Sequence, residues 1–113
     1  MTPTILYNLI TKFYTPKNIL ISSPYRGRPF VHKIGVNSIA YKRINSGPFI
    51  IDYQNMCNIY NMYHGKNIAI SAAIFSKHGI KNGTEIPAMG IFVDIGLTTC
   101  GFTNTRPTTI ILK

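Results

Sequence analysis

One stretch of this chain has a periodicity that fixes it as a helix and thereby orders what lies on either side. Phe49, Tyr53, Met56, Cys57 and Tyr60 recur at the spacing of a single helix face. The Ser46-Gly47-Pro48 turn introduces them, and Gly65 follows Tyr63 and His64 as a residue able to end the run in a left-handed conformation. Asn55, Asn58 and Asn61 fall on the opposite side, so the Met, Cys and Tyr positions read as packing. Lys66 then stands where the helix dipole favours a cation. A chain of 113 residues organised around such a helix has room for one domain and one core.

Charge sets the second constraint. Twelve Lys and Arg against three acidic residues give a formal charge of +9 and a pI near 9.9, a balance that repels itself in a free monomer and favours a polyanionic partner, nucleic acid first. A basic membrane-surface protein would need an amphipathic face with its cations opposite. The apolar runs fall far short of the roughly 18 residues a spanning helix requires, which predicts no integral membrane span. Asp52, Glu85 and Asp94 are scattered, leaving no adjacent carboxylate pair for acid–base chemistry or a hard metal. Cys57 and Cys100 lack CxxC or Cys/His ligand spacing and read as reduced core residues. No catalytic residue, metal or cofactor is assigned. A Cys/His enzyme would require Cys57 exposed beside His32, His64 or His78, whereas the stripe puts it on the buried face. Abundant Ile, Asn, Tyr, Lys and Phe with no Trp reflect AT-rich codons and point to an organellar genome.

Taken in order, residues 1–14 place Ile5, Leu6, Leu9, Ile10 and Phe13 at helical spacing, with Thr2 as cap, Pro3 in the first turn and Pro16 as stop. This predicts a short amphipathic helix that docks on protein. With Lys12 as its single cation it is a poor transit peptide, and it lacks a secretory cleavage pattern. Residues 17–43 read as a basic, punctuated arm. Arg26 and Arg28 flank Gly27, Tyr25 and Phe30 lie on either side, and His32-Lys33 and Lys42-Arg43 follow. Prolines and glycines preclude a continuous helix there, and cations interleaved with aromatics suit RNA. Ile68, Ile70, Ala72 and Ile74 alternate as a half-buried strand. Turns follow at Ser76-Lys77-His78-Gly79 and Lys81-Asn82-Gly83-Thr84. Residues 86–95 read as further strand, with Pro87 and Gly90 at an edge, bulge or break. In residues 95–106, Gly96, Gly101, Phe102, Thr103, Asn104, Thr105 and Arg106 form a Gly/Thr surface suited to phosphate and sugar. Residues 110–113 make a short tail.

Two of these segments carry a resemblance. The run from Tyr41-Lys42-Arg43 through Ser46-Gly47-Pro48-Phe49-Ile50-Ile51-Asp52 resembles the start of the universal small-subunit ribosomal protein nineteen family, where a basic segment leads into Lys-Gly-Pro-Phe-Val-Asp and a helix. Gly96 and Gly101-Phe102-Thr103-Asn104-Thr105-Arg106 resemble the family's closing Gly-His-Lys-Leu-Gly-Glu-Phe-Ala-Pro-Thr-Arg. Phe75-Ser76-Lys77-His78 is similar to its Trp-Ser-Arg-Arg, and Asn82-Gly83 to its Asn-Gly turn. An alternative alignment sets Ile86-Pro87-Ala88-Met89-Gly90 on its Ile-Pro-Glu-Met-Val-Gly. Ser46 replaces the family's Lys, and the closing run lacks its Glu, His and Lys.

The resemblance covers about residues 41–109 and implies an α+β core: one core helix followed by a small three-stranded antiparallel sheet. It leaves residues 1–40 as an N-terminal extension, with the amphipathic helix and basic arm, ahead of a ribosomal-protein core at 41–113. It implies binding to small-subunit rRNA in the subunit head, pairing with ribosomal protein thirteen, and proximity to the decoding and tRNA side. By position, Lys42, Arg43, Gly47, Pro48, Phe49, Lys77, His78, Asn82, Gly83, Gly101, Phe102, Thr103, Asn104, Thr105 and Arg106 become rRNA-contact candidates. The basic composition adds Arg26, Arg28, Lys33, Lys66 and Lys81. The resulting expectation is a structural constituent of a mitochondrial ribosome, located in the matrix and performing no chemistry. The competing readings are another basic ribosomal protein, or a small subunit or assembly factor of an organellar membrane complex that docks through Ile5, Leu9 and Phe13.

Overall fold

The computed structural model of the chain describes residues 1–15 and 17–113, which form a mixed α+β fold. Its elements run α1 (Pro3–Phe13), β1 (Phe30–Ile34), β2 (Ser38–Arg43), β3 (Ser46–Asp52), α2 (Tyr53–Tyr63), β4 (Ala69–Ser71), α3 (Ala72–Lys77), α4 (Glu85–Asp94) and β5 (Thr109–Ile111). Strands β1, β2 and β3 make an antiparallel sheet with β2 in the centre, and β4 pairs antiparallel with β5. The three-stranded sheet thus precedes α2, whereas the resemblance places it after the core helix. Segment 17–43, predicted as an irregular arm, supplies two of the strands. The pairing explains why patterning misses the first of them. Val31 faces Tyr41 and Ile34 faces Ile39, but the register slips between Val31 and Lys33, and again between Tyr41 and Arg43. The first slip inserts a residue in β1 and breaks the alternation by which a strand is recognised; the second inserts one in β3, while β2 itself alternates, with Ile39 and Tyr41 buried.

Helix α2 starts at Tyr53 because the Asp52 carboxylate accepts the Asn55 N–H at 3.1 Å, a side-chain N-cap. Phe49, the first residue of the predicted helical stripe, lies instead in β3, where its ring stacks on Tyr41 with centroids 5.2 Å apart. The Tyr53 N–H and hydroxyl bond to Asn37 O and Gly35 O at 3.0 and 2.8 Å, which ties the helix start to the β1–β2 turn. At the other end Gly65, with φ +73, donates to Leu112 O at 3.1 Å. The predicted tail is therefore structural: β5 pairs with β4, and Ile110 and Leu112 are buried.

Of the two strands predicted after α2, the first is helical in its second half and the second is almost wholly helical. Only Ala69–Ser71 is extended before Ala72 opens α3, which buries Phe75 and leaves Ile68 exposed. Residues 86–95 fall mostly within α4. Pro87 is the third residue of that helix, where its missing N–H is harmless because first-turn amides have no intrahelical acceptor. Every residue from Pro87 to Phe92 is buried, and a helix apolar all round carries the same continuous run as a buried strand. Gly90 marks neither bulge nor break. A Cβ there would stand 1.9 Å from Ser22 O, so the glycine lets the 21–22 backbone lie directly on α4.

One core joins all of this. Leu6 and Ile10 of α1, then Tyr14, Ile21, Ile39 and Tyr41, pack in the same buried cluster as Ile51, Met56, Cys57, Phe75 and Phe92. Residues before 40 thus share the core, and a boundary between 40 and 41 falls inside β2. In α1, Thr2 Oγ1 accepts the Ile5 N–H at 3.3 Å, while the predicted stop at Pro16 lies outside the described residues. The stripe invoked for external docking is partly consumed within the chain, since Phe13 packs half-buried against the core. No helix among the described residues is long and apolar enough to cross a membrane.

Candidate nucleic-acid interface

The loop 22–29 connects segments far apart in sequence. It is anchored where Asp94 accepts the Ser22 N–H at 3.0 Å, the Ser22 hydroxyl, and the Tyr14 hydroxyl at 2.5 Å. Burial, reinforced by the bond to Asp94, pushes the Tyr14 phenol well above its ordinary value, so it stays a donor. Arg28 braces the same loop: its Nε donates to Ile21 O at 3.0 Å and its Nη2 to Leu20 O at 3.1 Å. Those two bonds make Arg28 a shaping residue as well as a charge. Arg26 is exposed beside Gly27.

Arg43 reaches across from the end of β2, its Nη1 donating to Gly27 O at 2.9 Å. Loop and β2–β3 hairpin therefore share a cleft of about 290 Å³ lined by Gly27, Arg28, Arg43, Ile44, Asn45 and Ser46. A second open cleft, about 470 Å³, continues onto the sheet and is lined by Phe30, His32, Lys42 and Arg43 together with residues 44–47. Gly47 is needed here: at φ +110 a Cβ would press to 3.2 Å on Lys42 Cα and on Tyr41 O. On the other flank of the loop, Pro24 and Tyr25 line a groove of about 580 Å³ with residues 103–108.

Within 103–109 the hydroxyls predicted to meet phosphate largely meet one another. Thr103 Oγ1 lies 2.7 Å from both Thr105 Oγ1 and Thr109 Oγ1, Thr105 donates to Pro107 O at 2.9 Å, and Thr108 to Thr103 O at 2.8 Å. This network shapes the loop and leaves Asn104 and Arg106 exposed on it. Gly101 is exposed beside them, while Phe102 packs half-buried on the core. Pro48 is exposed in β3, whereas Phe49 faces inward onto Tyr41.

The remaining sequence candidates do not line these clefts. Lys66 is exposed just beyond α2, and Lys77 is exposed in the last turn of α3. His78 Nε2 sits 3.3 Å from the Tyr63 hydroxyl with the rings edge to face. In the turn before α4, Lys81 and Asn82 are exposed. Gly83 donates to Glu85 Oε1 at 2.8 Å, and its carbonyl accepts from Tyr41 at 3.3 Å. Lys33 is exposed on β1. The sequence places Tyr25, Phe30 and His32 in the basic arm suited to RNA without singling them out as contacts, and it does not single out Asn45. The signal for Tyr25 and Phe30 is their place as aromatics beside Arg26 and Arg28, and for His32 its place beside Lys33.

The electrostatics of the surface follow from where the carboxylates are used. Asp52 accepts a backbone amide, Glu85 another, and Asp94 one amide and two hydroxyls. Among the described residues none of these carboxylate bonds comes from Lys or Arg, so the cations of the clefts have no hydrogen-bonded carboxylate. Burial pushes the Cys57 thiol up, and no group of three His, Cys, Asp or Glu side chains that could hold a metal occurs among the described residues.

Fold and surface together define a small, strongly basic α+β protein with an antiparallel sheet and open cationic clefts around one anchored loop. No protein-family model, curated protein or solved structure matches the chain.

Proposed function

We propose that the protein is a structural RNA-binding constituent of a ribonucleoprotein, in particular of the small subunit of a mitochondrial ribosome. The observation that carries the RNA-binding reading is the loop 24–28, which shares a cleft with 43–46 on one flank and a groove with 103–108 on the other, lined by cations that have no hydrogen-bonded carboxylate. Such a surface binds a phosphate backbone by releasing counterions. The ribosomal setting is supported by the Gly47-Pro48-Phe49 and Gly101 to Arg106 resemblances, both of which adjoin those clefts. The sheet-before-helix order departs from the architecture the resemblance implies, so this part of the proposal stands on the two segments and on charge, not on a shared fold. In that setting the partners are small-subunit rRNA of the head and ribosomal protein thirteen, on the tRNA-facing side, in the mitochondrial matrix.

Arg106→Glu tests the reading. Arg106 is exposed on the 103–108 groove. The variant should fold as the parent does, bind small-subunit rRNA more weakly, and show a log–log salt dependence shallower by about one. Unchanged ribosome incorporation together with an unchanged salt slope would count against it.

A further inference from the structure

The three-stranded sheet has two unlike faces. Ile39, Tyr41 and Ile51 are buried on the inner one. Residues directly opposite on neighbouring strands share a face, so the register places Phe30 beside Lys42, Lys33 beside Ala40, and Ala40 beside Ile50 on the outer one. Leu20 bridges to Phe30 from the far side. Across the sheet this makes a row of Leu20, Phe30 and Lys42, next to a row of Lys33, Ala40 and Ile50.

Three features single out this face. Phe30 is half-buried, yet it is not among the hydrophobic residues packed on the core; it lines the open cleft with His32 and Lys42. Ile50 is 65% exposed beside the small Ala40, which leaves a low, apolar floor. The charge on the face is cationic, from Lys33 and Lys42, and its one carboxylate, Asp52, is turned to the α2 cap. An aromatic ring on an open sheet, with one cation directly across from it and another in the next row of its own strand, matches the needs of an unpaired nucleotide: a ring for the base and charge for the adjoining phosphates. An A-form duplex keeps its bases stacked inside and offers no free base face to such a ring.

We infer that the outer face of the β1–β2–β3 sheet is a stacking platform for an unpaired RNA nucleotide, with the base on Phe30 and the adjoining phosphates at Lys33 and Lys42. The inference rests on the RNA-binding reading above and adds a preference for single-stranded over duplex segments.

The test compares the full-length chain with Phe30→Leu and Phe30→Tyr, titrated with a short oligoadenylate and with a blunt RNA duplex of equal length. Phe30→Leu should weaken oligoadenylate binding roughly tenfold or more while leaving duplex affinity and the salt slope unchanged, and Phe30→Tyr should retain oligoadenylate affinity. Equal binding of the oligoadenylate by Phe30→Leu and the parent, or an equal loss on both ligands, overturns the platform and leaves the RNA-binding reading standing. If the parent binds neither ligand, the RNA-binding reading itself fails. Should Phe30→Leu not fold, photocrosslinking of the parent to oligoadenylate decides: an adduct on Phe30 supports the platform, and adducts confined to other segments overturn it.

Discussion

Cys57 and Cys100 show how far individual side chains are separated by environment. Cys57 lies on the buried face of α2, where burial raises its thiol pKa and holds it as the weakly nucleophilic thiol, while Cys100 is exposed. In the native protein a thiol reagent should label Cys100 rapidly and Cys57 only on unfolding, read as one modified thiol of two by mass spectrometry. Rapid modification of both would mean that α2 does not pack as described. The same contrast separates phenylalanines. Phe92 is fully buried, so Phe92→Ala should cost about 3 to 5 kcal/mol in denaturant unfolding. Phe49, half-buried against Tyr41, should cost clearly less; an equal cost would place its ring in the core.

At the scale of elements, the contact between α4 and the 21–22 segment is the most exacting. Gly90→Ala would drive a methyl group into the Ser22 carbonyl, and relief requires moving backbone. The expected destabilisation is about 1 to 3 kcal/mol or more, with loosening of the 22–29 loop seen as faster amide exchange there. A variant as stable as the parent would show that the loop is not seated on the helix. This contact also explains what was readable in the sequence. The Tyr53 to Tyr60 stripe announced α2, because its polar and apolar faces differ. Helix α4 announced nothing, because a helix buried on all sides has no such contrast, and Pro87 and Gly90 suggest a strand edge until Ser22 is placed against them. Strand β1 was hidden by its bulge, whereas the alternation of Ile39 and Tyr41 in β2 was there to be read. Most of the candidate interface was legible as residue types, namely Arg beside aromatic and Gly beside Thr. That loop 24–28 adjoins both 43–46 and 103–108 was not, since it depends on the Arg43–Gly27 bond and the Asp94 anchor, both long-range contacts.

For the whole molecule, three buried tyrosines govern the alkaline limit. Burial raises Tyr14, Tyr41 and Tyr53 above their ordinary value of 10.0. The folded chain then keeps protons that the unfolded chain releases, so this stabilisation is complete below about pH 10 and is lost as pH rises beyond it. Ionisation of these three phenols, the last part of the rise in tyrosinate absorbance, should therefore coincide with unfolding. Full tyrosinate formation in a still-folded protein would contradict the burial of these rings. The net charge of +9 acts across the entire surface and is relieved by binding a polyanion. The most direct test of that account is crosslinking of the protein in its native cell extract, followed by sequencing of the attached RNA. Crosslinks from Tyr25, Lys42 and Arg106 to the head of small-subunit rRNA are the predicted result; recovery of membrane proteins with no RNA would contradict it.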